Sequence, residues 1–218
     1  MEEVVITGMG CVSTLGNSPD LLWNNLLQGK SGVDIIDRFD VSAFPIKIAA
    51  AVKEFDASEY FSNRDQSRYS KCIQYAVFSA FQALKNAGIN PENEDPTRSG
   101  VIIGAGIGGM NPYMENAVTL ANRGPSRVSP FFIPMSITNM PAGEVSNRTK
   151  WMGPCYAVVS ACATSNHSIA AAYDQIRFGR ADIMLAGGAD ETVNPLALAG
   201  FSSLHRPSTG NQGPGSSS

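Results

Sequence analysis

The chain has 218 residues, 43% of them hydrophobic and 16% charged, a balance that is typical of a folded globular protein and unlike that of a disordered one. The formal net charge of −3 gives no electrostatic reason to expect nucleic acid as a partner. No basic segment followed by an apolar one comes after Met1, and no run reaches about 18 apolar residues, so neither an export signal nor a membrane span is expected.

Five short apolar runs, each bounded by glycine, proline or polar residues, predict β-strands. They cover residues 4–10, 46–52, 100–104, 156–160 and 182–187. Helical patterns lie between them, and each ends beside a glycine, at residues 19–28, 66–87 and 162–178. This alternation predicts an α/β fold whose strands are buried on both faces.

The cysteines and histidines could in principle form a metal site or a disulfide framework. They are Cys11, Cys72, Cys155, Cys162, His167 and His205. Their spacing matches neither kind of site, so we expect no metal, no cofactor and a reducing compartment in which the thiols stay free.

The C-terminal residues differ in composition from the rest of the chain. Residues 208–218 read STGNQGPGSSS and offer almost no apolar surface to bury. We therefore expect the folded part to end near Leu204 and residues 205–218 to form a flexible tail.

The clearest chemical pattern is a predicted strand that runs through small residues into a predicted helix. Cys162 stands at this junction, where Ala161, Ala163 and Ser165 leave room for a substrate. The dipole and free N–H groups of a helix N-terminus favour a thiolate and can stabilise the oxyanion formed when it attacks a thioester. A free cysteine is more often a buried inert residue, so this pattern alone leaves both interpretations open.

The residues around Cys162 also resemble a known family. The run SACATSNH at 160–167 resembles the active-site signature of the elongating β-ketoacyl-[acyl-carrier-protein] synthases, which belong to the thiolase-like superfamily. Further segments resemble the same family in the same order and spacing: VVITGMG at 4–10, GAGIGG at 104–109, SPFFIP at 129–134, TNM at 138–140 and AGGAD at 186–190. Several motifs in register are far more specific than one cysteine pattern.

The resemblance implies a thiolase-like fold, with residues 1–204 forming the N-terminal domain as a five-stranded mixed sheet packed between helices. It implies an acyltransferase of fatty-acid biosynthesis in which Cys162 is the catalytic nucleophile and Ile107 and Phe201 line the acyl pocket. Cys162 would take an acyl chain from acyl carrier protein, and decarboxylation of malonyl carrier protein would give a carbanion that attacks it. A homodimer in the cytoplasm, or alternatively in the plastid stroma, is implied as well.

The same resemblance implies that this chain is only half of such an enzyme. In the family, two histidines, a lysine and a second oxyanion donor come from a C-terminal domain that has no counterpart in these 218 residues. We therefore expect a fragment that is inactive in condensation by itself. The alternatives are a non-catalytic half that only dimerises or binds carrier protein, and a related enzyme that acts on coenzyme A thioesters.

Three further features receive ordinary structural interpretations. The glycine-rich run 104–109 lacks the G-x-G-x-x-G spacing, so a tight turn is favoured over a nucleotide site. Asp190 and Glu191 are sequence neighbours that should point apart, so structural or solvated roles are favoured over a carboxylate pair. His167 is interpreted as a packing or helix residue, and His205 as an exposed residue.

Overall fold

The structure is a computed structural model that describes residues 3–204, so His205 and the predicted tail 205–218 lie outside the described residues. Within that range the helices are Pro19–Leu27 (α1), Asn63–Gln66 (α2), Lys71–Ala87 (α3), Met110–Arg123 (α4), Phe132–Ser136 (α5), Met140–Thr149 (α6), Thr164–Arg177 (α7) and Pro195–Ser203 (α8). The strands are Val33–Ile35 (β1), Ile48–Ala50 (β2), Ser99–Gly104 (β3), Cys155–Tyr156 (β4) and Ile183–Gly188 (β5). Short 3₁₀ turns occur at Pro91–Asn93, Pro125–Arg127 and Ala161–Ala163.

The described residues divide into two compact units. The first comprises residues 3–10 and Ala57–Glu191, and the second comprises Cys11–Asp56 and residues 192–204. The second unit contains the antiparallel pair β1–β2, in which Val33 lies opposite Ala50. An exposed ion pair joins Lys53 Nζ to the carboxylate of Asp34 over 2.6 Å and lowers the pKa of that carboxyl group.

A three-stranded parallel sheet forms the centre of the first unit. Its order is β4-β3-β5, and every residue of β3 is buried. Since successive side chains of a strand point to opposite faces, full burial means that both faces of β3 are covered. Helices α6 and α7 pack against β3, and α3 packs in turn on α6.

The starts of β3 and β5 are held in register by Arg98 and Asp182, the residues just before the two strands. The N–H of Asp182 donates to the Arg98 carbonyl oxygen over 2.8 Å, and Arg98 Nε donates to the Asp182 carboxylate over 3.0 Å. This guanidinium lowers the pKa of Asp182. Because the paired strands are parallel and equally long, their carboxyl ends lie side by side at Gly104 and Gly188.

The predicted strand at 4–10 is absent, and this part of the prediction was wrong. Residues 8–10 lie directly on helix α3, where a Cβ on Gly8 or Gly10 would collide with a carbonyl oxygen of the helix. Met9 N–H donates to the Asn86 side chain over 3.0 Å, so a helix residue satisfies a group that a strand would pair. The apolar side chains of Val5 and Ile6 are exposed.

The other strand predictions hold with changed limits. The runs at 100–104 and 182–187 correspond to β3 and β5, while the run at 46–52 is strand only over Ile48–Ala50. The run at 156–160 pairs only at its start, where Tyr156 lies opposite Ile102, and the Val158 carbonyl oxygen farther along lies in close contact with Gly104. The described residues thus contain five strands as predicted, divided between two sheets because the unforeseen β1 pairs with β2.

The helix predictions succeed best where an end signal is present. Helix α1 begins at Pro19 after the N-cap Ser18, and α3 ends before Gly88, whose φ of 69° is left-handed. The helix predicted for 66–87 is interrupted, since α2 ends at Gln66 and α3 begins only after Ser70.

A partly buried ion pair lies within α6, and its arginine also contacts the segment before α2. Arg148 Nε donates to Glu144 over 2.6 Å, and Glu144 keeps only 7% of its side chain exposed. The Arg148 guanidinium also donates to the Tyr60 carbonyl oxygen and lies 4.1 Å from the centre of the Phe61 ring. This one side chain therefore satisfies a buried carboxylate and covers an aromatic ring.

We predict that Arg148→Met lowers the free energy of unfolding by about 3–5 kcal/mol, because it leaves the Glu144 carboxylate buried without its cationic partner. The double variant Arg148→Met/Glu144→Gln should recover part of this loss. Urea denaturation measures the free energy of unfolding of the single and the double variant. The matched control is Lys53→Met, which breaks the exposed pair with Asp34 and should change little. Equal effects of Arg148→Met and Lys53→Met would contradict this assignment.

Candidate active site

The chain makes a sharp turn between β4 and α7, and Cys162 lies in that turn. Residues 161–163 form a 3₁₀ turn, α7 begins at Thr164, and Cys162 is exposed. The prediction placed Cys162 as the first residue of the helix, whereas the structure places it two residues earlier. The thiol therefore belongs to the turn in front of the helix N-terminus.

Ala161 has a φ of 51°, in the left-handed region that residues with a Cβ rarely adopt. Such a conformation costs on the order of 1–3 kcal/mol and persists only where the surroundings fix it. Because the strained residue directly precedes Cys162, its geometry determines how the thiol is presented.

The N–H, the carbonyl oxygen and the hydroxyl group of Ser160 all form hydrogen bonds with residues that follow it. Its N–H donates to Thr164 Oγ1 over 2.9 Å, its carbonyl oxygen accepts from the Ala163 N–H over 3.1 Å, and its Oγ lies 2.7 Å from His167 Nδ1. These contacts fix the residue in front of Ala161 against the first turn of α7. We call residues 160–164 with His167 the cysteine elbow.

His167 has a defined contact that the sequence did not reveal. It lies on α7 as expected, but its ring is exposed and bound to the Ser160 hydroxyl. The signal available in the sequence was its spacing of seven residues from Ser160, which acquires meaning only when a turn folds the two together. His167 thus contributes to the geometry of the elbow.

The N-terminus of α7 follows Cys162 directly and has no capping side chain. The N-cap residue Ala163 provides no side-chain hydrogen bond to the first turn, so that turn is not closed by a capping side chain. Uncapped N–H groups at a helix N-terminus carry partial positive charge and can donate to an anion. The elbow can therefore stabilise negative charge that develops beside Cys162.

The glycine-rich loop 104–109 packs against the cysteine elbow. A Cβ on Gly104 would collide with the Val158 carbonyl oxygen and lie 2.6 Å from the Thr164 methyl group. A Cβ on Gly106 would lie 3.1 Å from the Ala161 carbonyl oxygen, and Gly108 has a φ of 86°. These glycines allow close backbone approach, in agreement with the interpretation as a tight turn.

Two acidic residues follow β5 and bind different partners, as their sequence adjacency predicts. The Asp190 carboxylate accepts from the N–H groups of Gly106, Ile107 and Gly108. The Glu191 carboxylate accepts from the Asn111 side chain over 2.9 Å. They do not form a carboxylate pair, but the convergence of three loop donors on Asp190 was not foreseen.

The two residues assigned to an acyl pocket lie in different units. Ile107 is on the glycine-rich loop with 41% of its surface exposed, beside residues that contact the elbow. Phe201 is on α8 in the second unit and is half exposed. The assignment of both to an acyl pocket stays a prediction.

The other thiols differ from Cys162 in their surroundings. Cys72 is buried with its Sγ 3.0 Å from the Ala189 carbonyl oxygen, and burial, assisted by the charges of Asp190 and Glu191, raises its pKa. Burial also raises the pKa of Cys11. Cys155 is exposed, with its Sγ 3.8 Å from a carbonyl oxygen of α6.

Residues 3–204 contain neither a metal-binding cluster nor a membrane-spanning helix. No cluster of three or more histidine, cysteine or acidic side chains in this range could hold a metal ion. None of the helices in the same range combines the length and the apolar character needed to cross a membrane.

Comparison with known proteins gives consistent matches. The family model described as "Beta-ketoacyl synthase, N-terminal domain" matches residues 1–218. The chain is 41% identical over 212 residues to 3-oxoacyl-[acyl-carrier-protein] synthase 2 of Vibrio harveyi, covering 97% of the chain and 51% of that relative. It is 38% identical to the chloroplastic synthase I of Hordeum vulgare, covering 98% of the chain and 47% of the relative.

Solved structures agree with these matches. A β-ketoacyl synthase from Burkholderia phymatum STM815 superimposes with a TM-score of 0.85 at 30% identity, covering 97% of this chain and 52% of that one. The ishigamide ketosynthase/chain length factor gives a TM-score of 0.80 at 26% identity, with 92% and 50% covered. The chain spans about half the length of the relatives it matches. The expected thiolase-like α/β fold is confirmed, and the chain belongs to the β-ketoacyl synthase family, as its N-terminal domain.

Proposed function

We propose that the chain is the nucleophile-bearing half of a 3-oxoacyl-[acyl-carrier-protein] synthase and that Cys162 accepts the acyl chain. The observation that carries this proposal is the exposed Cys162 thiol, held by a strained alanine in front of an uncapped helix. The names of the relatives support it, since those covering 97% and 98% of the chain are synthases of this kind.

The acylation step follows from the elbow. The Cys162 thiolate attacks the carbonyl carbon of an acyl thioester, and N–H groups at the start of α7 stabilise the oxyanion. When the tetrahedral intermediate collapses, the bond from carbon to the carrier sulfur breaks. The carrier thiolate leaves and takes up a proton, and the acyl group stays on Cys162 as a new thioester.

The remaining parts of the reaction belong to the whole enzyme. We propose malonyl and acyl forms of acyl carrier protein as partners, decarboxylative condensation to a 3-oxoacyl product, and a homodimer. Residues 1–204 would form one thiolase-like domain, with Ile107 and Phe201 in the acyl pocket. The compartment would be cytoplasm, or the plastid stroma if the protein is of plant origin.

A second candidate is a non-catalytic half that associates without turnover. Strand β4 pairs with only β3 among the described strands, so its other edge is open. Tyr156 and Val159 on this segment are 38% and 53% exposed. An open strand edge with apolar side chains favours association with another chain. An enzyme half would be acylated on Cys162, whereas a non-catalytic half would not.

Alkylation tests the nucleophile. We predict that iodoacetamide near neutral pH modifies Cys162 before the other cysteines, because Cys162 is exposed at a helix N-terminus. Cys72 and Cys11 should react faster only as the pH rises, since their raised pKa values leave less thiolate near neutrality. Peptide mapping by mass spectrometry over time gives the order.

The matched control is Cys155→Ala, because Cys155 is the other exposed thiol. This substitution should leave the rate at Cys162 unchanged, whereas Cys162→Ala should abolish the fast phase. A fast phase that belongs to Cys155 would argue against an activated thiol in the elbow.

We also predict that a polypeptide of these 218 residues is acylated but does not condense. Decarboxylation of a malonyl thioester needs hydrogen-bond donors aimed at the developing enolate. His167 Nδ1 is already engaged by Ser160. The purified chain, given labelled malonyl carrier protein and an acyl donor, should release no carbon dioxide above the level of its Cys162→Ala variant.

Sustained formation of 3-oxoacyl product that depends on Cys162 would contradict this prediction. It would mean that a group within these residues, His167 first among them, supplies the decarboxylation chemistry. Comparing Cys162→Ala with His167→Ala would then identify the group.

A further inference from the structure

The three N–H groups that converge on Asp190 come from consecutive residues of the glycine-rich loop. Gly106 N donates to Oδ2 over 2.7 Å, while Ile107 N and Gly108 N donate to Oδ1 over 3.0 and 2.9 Å. Successive backbone N–H groups that share one anion form a concave nest. In this molecule the anion that occupies the nest is a side chain of the protein itself.

The segment that carries Asp190 is fixed to the loop on both sides. Ala189 N donates to the Gly104 carbonyl oxygen over 3.0 Å, and Glu191 forms a parallel bridge with Gly109. The Cys72 thiol donates to the Ala189 carbonyl oxygen over 3.0 Å. The residues on either side of Asp190 are therefore bound to the two ends of the loop, Gly104 and Gly109. The Asp190 carboxylate binds the N–H groups between these ends.

The same loop touches the cysteine elbow. A Cβ on Gly106 would lie only 3.1 Å from the Ala161 carbonyl oxygen. A Cβ on Gly104 would collide with the Val158 carbonyl oxygen. Gly188, at the end of β5, would place a Cβ 3.2 Å from that of Ser165 on α7. A shift of the loop therefore alters the space beside Cys162 and the position of the Ile107 side chain.

We infer that Asp190 is a positioning residue that holds the loop 106–108 in the shape that selects which acyl chains reach Cys162. This inference rests on the proposed function for the nature of its substrate. Asp190 touches no reacting atom in this role. It acts through the backbone that presents Ile107 on one side and contacts Ala161 on the other.

The chemistry of the carboxylate distinguishes Asp190 from an isosteric amide. An ionised carboxylate is an acceptor on both oxygens and can accept all three N–H groups. An asparagine has one acceptor oxygen, and its NH₂ group would face an N–H donor of the loop. A glutamate keeps both acceptors but is one methylene longer, so it retains the hydrogen bonds while moving the loop relative to the elbow.

The test compares Asp190→Asn and Asp190→Glu with the unsubstituted 218-residue chain in two measurements. The first is hydrogen exchange of the peptide that contains residues 104–109. Exchange should become about 10-fold faster in Asp190→Asn and stay unchanged in Asp190→Glu. The second is the ratio of Cys162 acylation rates with a long-chain and a short-chain acyl carrier protein thioester.

This ratio should change by about 10- to 100-fold in both variants, because each moves the loop that packs against Ala161, the residue before Cys162. The matched control is Asp182→Asn, which makes the same substitution at the other end of β5 and removes a carboxylate bound to Arg98. It should change neither the exchange at 104–109 nor the acylation ratio. A purely structural role for Asp190 would lower both rates together and leave their ratio constant.

The outcomes are separable. An unchanged ratio in Asp190→Glu, with the chain acylated and folded by circular dichroism, overturns the inference even if Asp190→Asn fails to fold. Unchanged exchange in a folded Asp190→Asn also overturns it. If the unsubstituted chain accepts no acyl group from either donor, the proposed function fails and the selectivity role fails with it, while the exchange measurement still decides whether Asp190 holds the loop.

Discussion

The contacts that fix Ser160 are the constraint on which the candidate site depends. Without these contacts Ala161 would leave its left-handed conformation, since a residue with a Cβ lowers its free energy by returning to an ordinary φ. Ala163 at the end of the turn and Thr164 and His167 in the first turn of α7 supply the three contacts. The first turn of α7 thus folds back on the chain that precedes it and sets the direction of the Cys162 thiol.

The parallel sheet supplies the support for this elbow. The pairing of β3 with β5 begins at the Arg98–Asp182 contact and ends with Gly104 beside Gly188. From this edge the glycine-rich loop and the segment 189–191 continue together, joined by the Asp190 carboxylate. The elbow then packs on Gly104, where a Cβ would collide with the Val158 carbonyl oxygen, and closely against Gly106. The carboxyl ends of β3 and β5 therefore position the backbone on which the site is built.

Local signals in the sequence predicted part of this structure. Apolar runs bounded by glycines located β3 and β5, and Gly88 marked the end of α3, because burial and end signals act within a few residues. The strand expected at 4–10 failed because a close approach to α3 competes with sheet pairing, and composition does not distinguish the two. The motif predicts Cys162 as the nucleophile, whereas the contacts of His167 and Asp190 join residues that only the fold brings together.

We propose that this elbow makes Cys162 an acyl acceptor. The most direct test is to incubate the chain with an acyl carrier protein thioester, quench it in acid and locate the acyl group by peptide mass spectrometry. We expect a single thioester-linked acyl group on the peptide that contains Cys162, lost on treatment with hydroxylamine and absent from Cys162→Ala. An acyl group found instead on Cys155, which is also exposed but lies outside the elbow, would contradict the proposal.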